Sequence, residues 1–311
     1  MRILITGASG FIGAHLTEFL KTKANYLAGS YKSRRPKSSQ AIHYLRCDFS
    51  SFKEVMSLLK RVRPTHIFHL VGQSSPSLSW KFPLETMRDN AFSLLHLLEA
   101  CRTLKIKPKI LFVSSAHVYG QVCFKAKGPS EKDIPLPIDP YAYAKLQAES
   151  FAVQYWKQFQ IPTVIVRASA HIGTHQPPVF AISNFCKQIA EIEKKKRTPV
   201  LLVGNLKAER GFIAVEDMVR AHFLAIQKCK PGEVYNVAAF SVRPMGEWLD
   251  LLLSLTPIRV RLHVNPGLKR VIEPHRLFVN SQKFRRQTGW SETIHPQAVF
   301  QNVLNWWRAN V

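Results

Sequence analysis

Short apolar runs, many of them β-branched, alternate along the chain with longer segments whose apolar residues return every three or four positions. Residues 2–6, 26–29, 42–47, 66–71, 110–114 and 163–167 predict strands. Residues 11–21, 52–61, 84–102 and 143–158 predict helices, the third with its apolar face at Phe92, Leu95, Leu98 and Cys101. Strands separated by helical crossovers predict a parallel sheet covered on both faces, and their nearly uniform apolarity fits strands buried on both. The pattern loosens after residue 167, where Gly173, Pro177 and Pro178 fall close together and prolines recur to residue 274. The expected fold is α/β, a Rossmann-type doubly wound parallel sheet with a smaller C-terminal α/β substrate lobe. Residues 1–167 form the first domain, with about 208–240 returning to it and residues 211–228 rejoining its sheet. Residues 168–207 and 241–311 form the lobe.

The 311 residues are 46% hydrophobic and 21% charged, which excludes a disordered chain. No run reaches the roughly 18–20 apolar residues that a spanning helix needs, so no membrane partner is expected. The formal net charge is +24, with dense basic spots at 32–37, 60–63, 105–109, 194–197 and 285–286. Such an excess proposes anionic partners. Lys194–Arg197, following a helical stretch, reads as a solvated helix end rather than a nucleic-acid patch. Five cysteines in no CxxC pair predict reduced, mostly buried thiols, with neither a disulfide framework nor a metal site. The first apolar run leads directly into a glycine motif, so the expected compartment is cytoplasmic.

That motif, Gly7-Ala8-Ser9-Gly10-Phe11-Ile12-Gly13, joins the first strand to the first helix. Gly7 permits the tight turn, Gly10 the approach of a pyrophosphate, and Gly13 close helix–strand packing. The helix N-terminus favours the phosphates. A free ribose 2′-hydroxyl calls for a carboxylate about 20 residues on. None occurs between Glu18 and Asp48, and Lys32, Arg34 and Arg35 stand there instead. Cations suit a 2′-phosphate, so NADP(H) is expected in preference to NAD(H).

Tyr141 and Lys145 form a YxxxK pair that lies on one helical face. A lysine beside a phenol lowers the phenol's pKa and readies it for proton exchange with a substrate oxygen. Ser114 and Ser115, at a strand end, are placed to hydrogen-bond that oxygen.

With these features in register, the chain resembles the extended short-chain dehydrogenase/reductases, the sugar-nucleotide epimerase/dehydratase group, over nearly its whole length. Gly7–Gly13 matches GxxGxxG, residues 114–120 (SSAHVYG) the strand-end motif, and residues 140–145 the PYxxxK. Within the group it is similar to GDP-4-dehydro-6-deoxy-D-mannose reductases at 73–80 (QSSPSLSW), 90–100, 188–193 (QIAEIE), 203–206 (VGNL), 231–237 (PGEVYNV) and 288–290. The resemblance implies a catalytic set of Ser115, Tyr141 and Lys145. It places the cofactor against Gly7, Gly10, Phe11, Ile12, Gly13, Lys32, Arg34, Arg35, Val71, Gly72, Gln73, Ser114, Tyr141, Lys145 and His171, with Asp48 and Phe49 at the adenine. It places a nucleotide sugar against Ser74, Ser75, Ser115, Ala116, His117 and Lys187, with Arg210, Arg270 and Glu273 at the diphosphate and its nucleoside. It also implies a homodimer through paired helices, 84–102 and 143–158 from each copy.

Dehydration of a sugar needs a further acid/base, commonly a Glu two residues before the strand-end tyrosine. Here His117 holds that place beside Ala116, read as either a substrate contact or a filler of space. Reduction needs only a hydride donor, a proton donor and an oxyanion contact. The expectation is an NADPH-dependent reductase of a nucleotide-linked 4-keto-6-deoxyhexose, GDP-linked. A 4-epimerase that recycles its cofactor is the alternative, and a non-catalytic Rossmann nucleotide- or RNA-binding protein a lesser one. Ala170 stands where relatives carry Asn, Gly211 where they carry Asp, Asn280 where Asp is frequent, and Val271 in an Arg-Pro-x-Glu turn. These departures point to a shifted sugar specificity.

Overall fold

The computed structural model describes residues 1–36, 41–124, 128–268 and 274–311, residues 121–124 by backbone alone. Arg270 and Glu273, expected at the nucleotide, lie outside the described residues, as does Lys37 of the first basic spot. Seven parallel strands make the central sheet: β1 (Arg2–Thr6), β2 (Tyr26–Tyr31), β3 (His43–Arg46), β4 (His66–His69), β5 (Lys109–Ser115), β6 (Thr163–Ala168) and, late in the chain, Val234–Val237. From one edge the order runs Val234–Val237, β6, β5, β4, β1, β2, β3. Both directions of winding start at β1 and β4, and ligands bind in the crevice where such an order reverses.

Alternation along β1 shows how the sheet is covered. Ile3 and Ile5 face one core with α1 (Phe11–Leu20), while Leu4 faces the other. That other core gathers Val55, Leu58 and Leu59 of α2 (Phe52–Val62) and Leu94, Leu97 and Leu98 of the long helical segment after β4. This segment is the long helix that its periodicity predicts, running unbroken over residues 83–103 but with a π turn inside it. After α3 (Pro76–Lys81) it runs as α4 (Pro83–Met87), a π-helical turn (Arg88–Phe92) and α5 (Ser93–Thr103). The π turn carries Asn90, fully buried, whose Nδ2 donates to the Thr86 carbonyl. A Cβ at Gly72 would overlap the Asn90 side chain, so the bulged turn and the glycine after β4 go together.

Helix α6 (Pro140–Phe159) starts three residues earlier than its apolar spacing predicts. Asp139 caps it, accepting the Ala142 N–H at 2.8 Å, and Pro140 occupies the first helical turn. The smaller core brings together α7 (Ala181–Glu193), α9 (Met245–Leu253) and the C-terminal helix Pro296–Asn310, around Trp248, Phe300 and Trp307, while α8 (Val215–Lys228) packs in the core of the main sheet. Residues 211–228 do not themselves rejoin the main sheet. Ile213–Ala214 pairs with His171–Ile172, α8 packs on the sheet, and Val234–Val237 enters it beside β6. Gly211 is required by packing, since a Cβ there would stand 2.5 Å from the Ser241 carbonyl oxygen. The four described cysteines with side chains, Cys47, Cys101, Cys186 and Cys229, are free and buried. Among the described residues, no helix is long and apolar enough to cross a membrane, and no cluster of His, Cys, Asp and Glu is arranged to hold a metal.

Candidate active site

The turn from β1 into α1 is formed as a dinucleotide site requires. Gly7 has φ +70°, a left-handed conformation that disfavours side chains. A Cβ at Gly13 would overlap the Gly7 carbonyl and stand 2.7 Å from Ala8 Cα, so helix and strand touch through glycine alone. No side chain caps α1 at Gly10, which leaves the helix N-terminus to a phosphate. Phe11 and His171 stack beside it, with centroids 5.9 Å apart, and the His171 Nδ1 lies 3.0 Å from the Ser169 carbonyl.

The two serines at the end of β5 face opposite ways, as period-two geometry demands. Ser115 is on the Tyr141 side, where its hydroxyl pulls the phenol's pKa down and accepts the His117 backbone N–H at 3.2 Å. Ser114 turns beneath α6 and donates to Glu149 Oε1 at 2.5 Å. Its expected contact with the cofactor is therefore not made by the side chain. Glu149 in turn receives Arg167 at 2.7 Å, and the guanidinium lies over the Tyr119 ring, all of them buried.

Tyr141 is 7% exposed, and burial pushes its phenol up to about 12 against the pull of the Ser115 hydrogen bond. Lys145 is equally buried. Burial takes its ammonium down to about 8, while Glu149 one turn further on opposes the drop. The Lys145 Nζ donates to the Val113 carbonyl at 3.0 Å and sits 5.9 Å from the Tyr141 ring centroid. Burial outweighs the other influences on the Tyr141 phenol, and Asp139 adds to it. A phenol in this state is fully protonated at neutral pH, the form required of a proton donor.

Several expected contacts have structural partners instead. Ala116 is fully buried in a small cluster with Val118 and Tyr119, so it packs rather than meets a sugar. Phe49 is a core residue with its ring against His69. Ser75 caps α3, and both polar atoms of the Gln73 amide bond to the Ser75 backbone. Lys187 pairs with Glu191 at 2.9 Å, and Arg210 donates to the Glu209 carbonyl. Ser74 and Gly72 are exposed. Near the expected adenine side, Lys32 pairs with Asp48 at 3.1 Å. Partial burial would raise the Asp48 carboxyl, but Ser50 and Lys32 together hold it below its ordinary value. Arg34 and Arg35 are exposed on the same loop.

Asp139 and Asn90 carry roles that the motif reading missed. The Asp-Pro step ahead of Tyr141 was a legible capping signal, and an Asn inside an apolar helical run signals a buried hydrogen bond. Residues 3–238 match the model of the NAD dependent epimerase/dehydratase family. The chain belongs to that family. It is an NAD(P)-dependent enzyme of the epimerase/dehydratase type, with the doubly wound parallel sheet that the strand–helix alternation predicts. Over 310 residues it is 28% identical to the GDP-6-deoxy-D-mannose reductase of Pseudomonas aeruginosa, covering 100% of this chain and 98% of that one. It is 26% identical to the dTDP-D-glucose 4,6-dehydratase of Homo sapiens, over 99% of this chain and 90% of the other. Among solved structures, that of RMD from Pseudomonas aeruginosa complexed with NADPH superposes over 100% of both chains, with a TM-score of 0.87 at 26% identity. The UDP-glucose 4-epimerase of Thermus thermophilus with NAD gives 0.89 over 100% of both chains at 24% identity, a likeness of fold alone.

Proposed function

We propose that this epimerase/dehydratase family member is an NADPH-dependent reductase of a nucleotide-linked 4-keto-6-deoxyhexose, with the GDP-linked sugar as its first candidate. The observation that carries the reading is the buried pair of Tyr141 and Lys145 beside the end of β5, next to a strand-end motif that offers Ala116 and His117 in place of a carboxylic acid. The glycine turn and the open N-terminus of α1 fit a dinucleotide, which when bound would supply the hydride. As negative charge grows on the substrate oxygen, Tyr141 donates its proton to it and Ser115 donates a hydrogen bond. Lys145 stabilises the phenolate left behind. Similarity to a reductase across the full chain supports the reading. The test is incubation with NADPH and a panel of GDP- and dTDP-linked keto sugars. Stoichiometric NADPH consumption with one of them supports the reading, and sugar conversion without net consumption means an epimerase.

Cofactor choice rests on the loop after β2. With Lys32 engaged by Asp48, Arg34 and Arg35 are, among the described residues of that loop, the exposed cations that could meet a 2′-phosphate. The double change Arg34→Ala and Arg35→Ala is expected to weaken NADPH binding about tenfold or more, with little effect on NADH. Equal weakening of both cofactors in a fluorescence titration counts against this assignment.

The homodimer belongs to the same proposal. Trp80, Phe82, Leu84, Phe92 and Tyr143 are all exposed on the segments from α3 to α6, and Leu84 is 81% exposed. Such an apolar surface marks an interaction site, and a twofold dimer is the commonest way to cover one. Light scattering should give twice the chain mass, and Leu84→Glu should give the monomer. A monomeric wild type removes the dimer from the proposal. A reducing cytoplasm suits both the buried free thiols and the NADPH requirement.

A further inference from the structure

His69 is the last residue of β4, and its side chain is fully buried. In the parallel pairing of β1 with β4 it stands opposite Thr6, the residue ahead of Gly7, and its Nδ1 lies 3.0 Å from Thr6 Oγ1. Its Nε2 lies 3.3 Å from the hydroxyl of Ser93, the first residue of α5, directly after the π turn. Phe49 meets the ring edge-on and Phe112 flanks it, with centroids 5.6 and 6.2 Å away.

Each proton in this row has one place to go. The Ser93 hydroxyl donates to the Asp89 carbonyl at 2.7 Å, inside the π turn, so its oxygen is left to accept from Nε2–H. Thr6 Oγ1 accepts the Leu70 backbone N–H at 3.1 Å, and its own proton is left to go to Nδ1. The imidazole is therefore the neutral Nε2–H tautomer, fixed by its partners on both sides. Burial first, and the Lys145 ammonium second, take its pKa down to about 3, so the ring stays neutral.

The ends of this chain are the two turns beside the crevice where the strand order reverses. At one end, Gly7 lies against the backbone of Leu70 and Val71, where a Cβ would come within 3.2 Å. At the other, the π turn sets Asn90 beside Gly72, and the Asn90 Oδ1 is buried without a hydrogen-bond partner among the described residues. We propose that His69 is a positioning residue for the dinucleotide, a rigid link that holds the glycine turn and the π turn at one spacing across the end of β4. A fully satisfied buried network of this kind specifies one arrangement of the elements it joins. The inference rests on the dinucleotide reading of the glycine turn and adds to it the residue that ties the two turns together.

The test is NADPH affinity, by fluorescence titration, in a cycle of Thr6→Val and Ser93→Ala. Each change removes one end of the link with little change of volume and should weaken binding about three- to tenfold, the worth of one buried hydrogen bond. Because His69 joins the two hydroxyls, the double variant should weaken binding clearly less than the product of the single effects, whereas independent sites multiply. In His69→Phe, which keeps a ring in the same space, that coupling should vanish. Nitrogen-15 spectra should show His69 with Nε2 protonated and Nδ1 bare between about pH 5 and 8. Urea midpoints measured alongside separate positioning from stability. Multiplicative effects, midpoints that fall while NADPH affinity holds, or a protonated Nδ1 each overturn the proposal. The readout needs no sugar, so it stands apart from the identity of the substrate. A wild type that does not bind NADPH overturns both the cofactor reading and this one.

Discussion

Replacing Tyr141 with Phe is expected to lower turnover by about 10²- to 10⁴-fold, the usual contribution of a positioned general acid, with NADPH affinity unchanged. The substitution removes one oxygen and keeps the ring, so the packing of α6 against β5 is preserved. The lost group is the buried phenol whose pKa burial raises. A developing alkoxide at C4 would then keep the Ser115 hydroxyl, which can donate a hydrogen bond but not the proton that Tyr141 supplied. The loss should fall on kcat more than on KM, because the missing interaction grows as the oxygen becomes charged. Steady-state NADPH oxidation gives the first quantity, and fluorescence titration of NADPH checks that the cofactor still binds. Turnover close to wild type would remove Tyr141 from the mechanism.

What the sequence discloses and withholds divides along physical lines. The glycine turn and the order of strands and helices are local in origin, since each depends on residues within one turn or one strand. The difference between Ser114 and Ser115 is not local. Both are small hydroxyl residues at a strand end, and the face each takes is fixed by the register of α6, where Glu149 receives Ser114. The same holds for the pKa balance at Tyr141. Spacing places Lys145 one turn away, but only the packed site shows that both groups are desolvated and that the ammonium is turned to the Val113 carbonyl. Expected ligand contacts at Ser75, Gln73 and Lys187 proved to be hydrogen-bonded within their own segments, by a cap, a turn and an i,i+4 pair. A polar residue near a motif has both options open in sequence, and the closer partner often takes it. The +24 charge narrows only slightly: Arg34 and Arg35 have a proposed ligand, and much of the remainder is exposed, as at Lys194, Lys195 and Lys196.

Glu149→Ala is expected to destabilise the fold by about 3–5 kcal/mol, the cost of breaking a buried ion pair from one side. Glu149 accepts from Ser114 and from two nitrogens of Arg167, and all three side chains are buried. Truncation leaves the Arg167 guanidinium without its carboxylate in a site that water does not reach, and it orphans the Ser114 hydroxyl as well. The charge, rather than the lost volume, should dominate. Glu149→Gln, which keeps the shape and one acceptor, should therefore still be clearly destabilised. The double replacement of Glu149 and Arg167 by Leu removes both charges and should recover most of the loss, as buried pairs exchanged for apolar residues commonly do. Urea unfolding at constant m reports these differences as shifts in midpoint. Activity adds a second reading, because the network lies under the β5 end that carries Ser115. A double variant that is stable but slow would make Glu149 a positioning residue for the active site. A double variant as unstable as Glu149→Ala would instead trace the loss to packing of the two long side chains between α6 and β6.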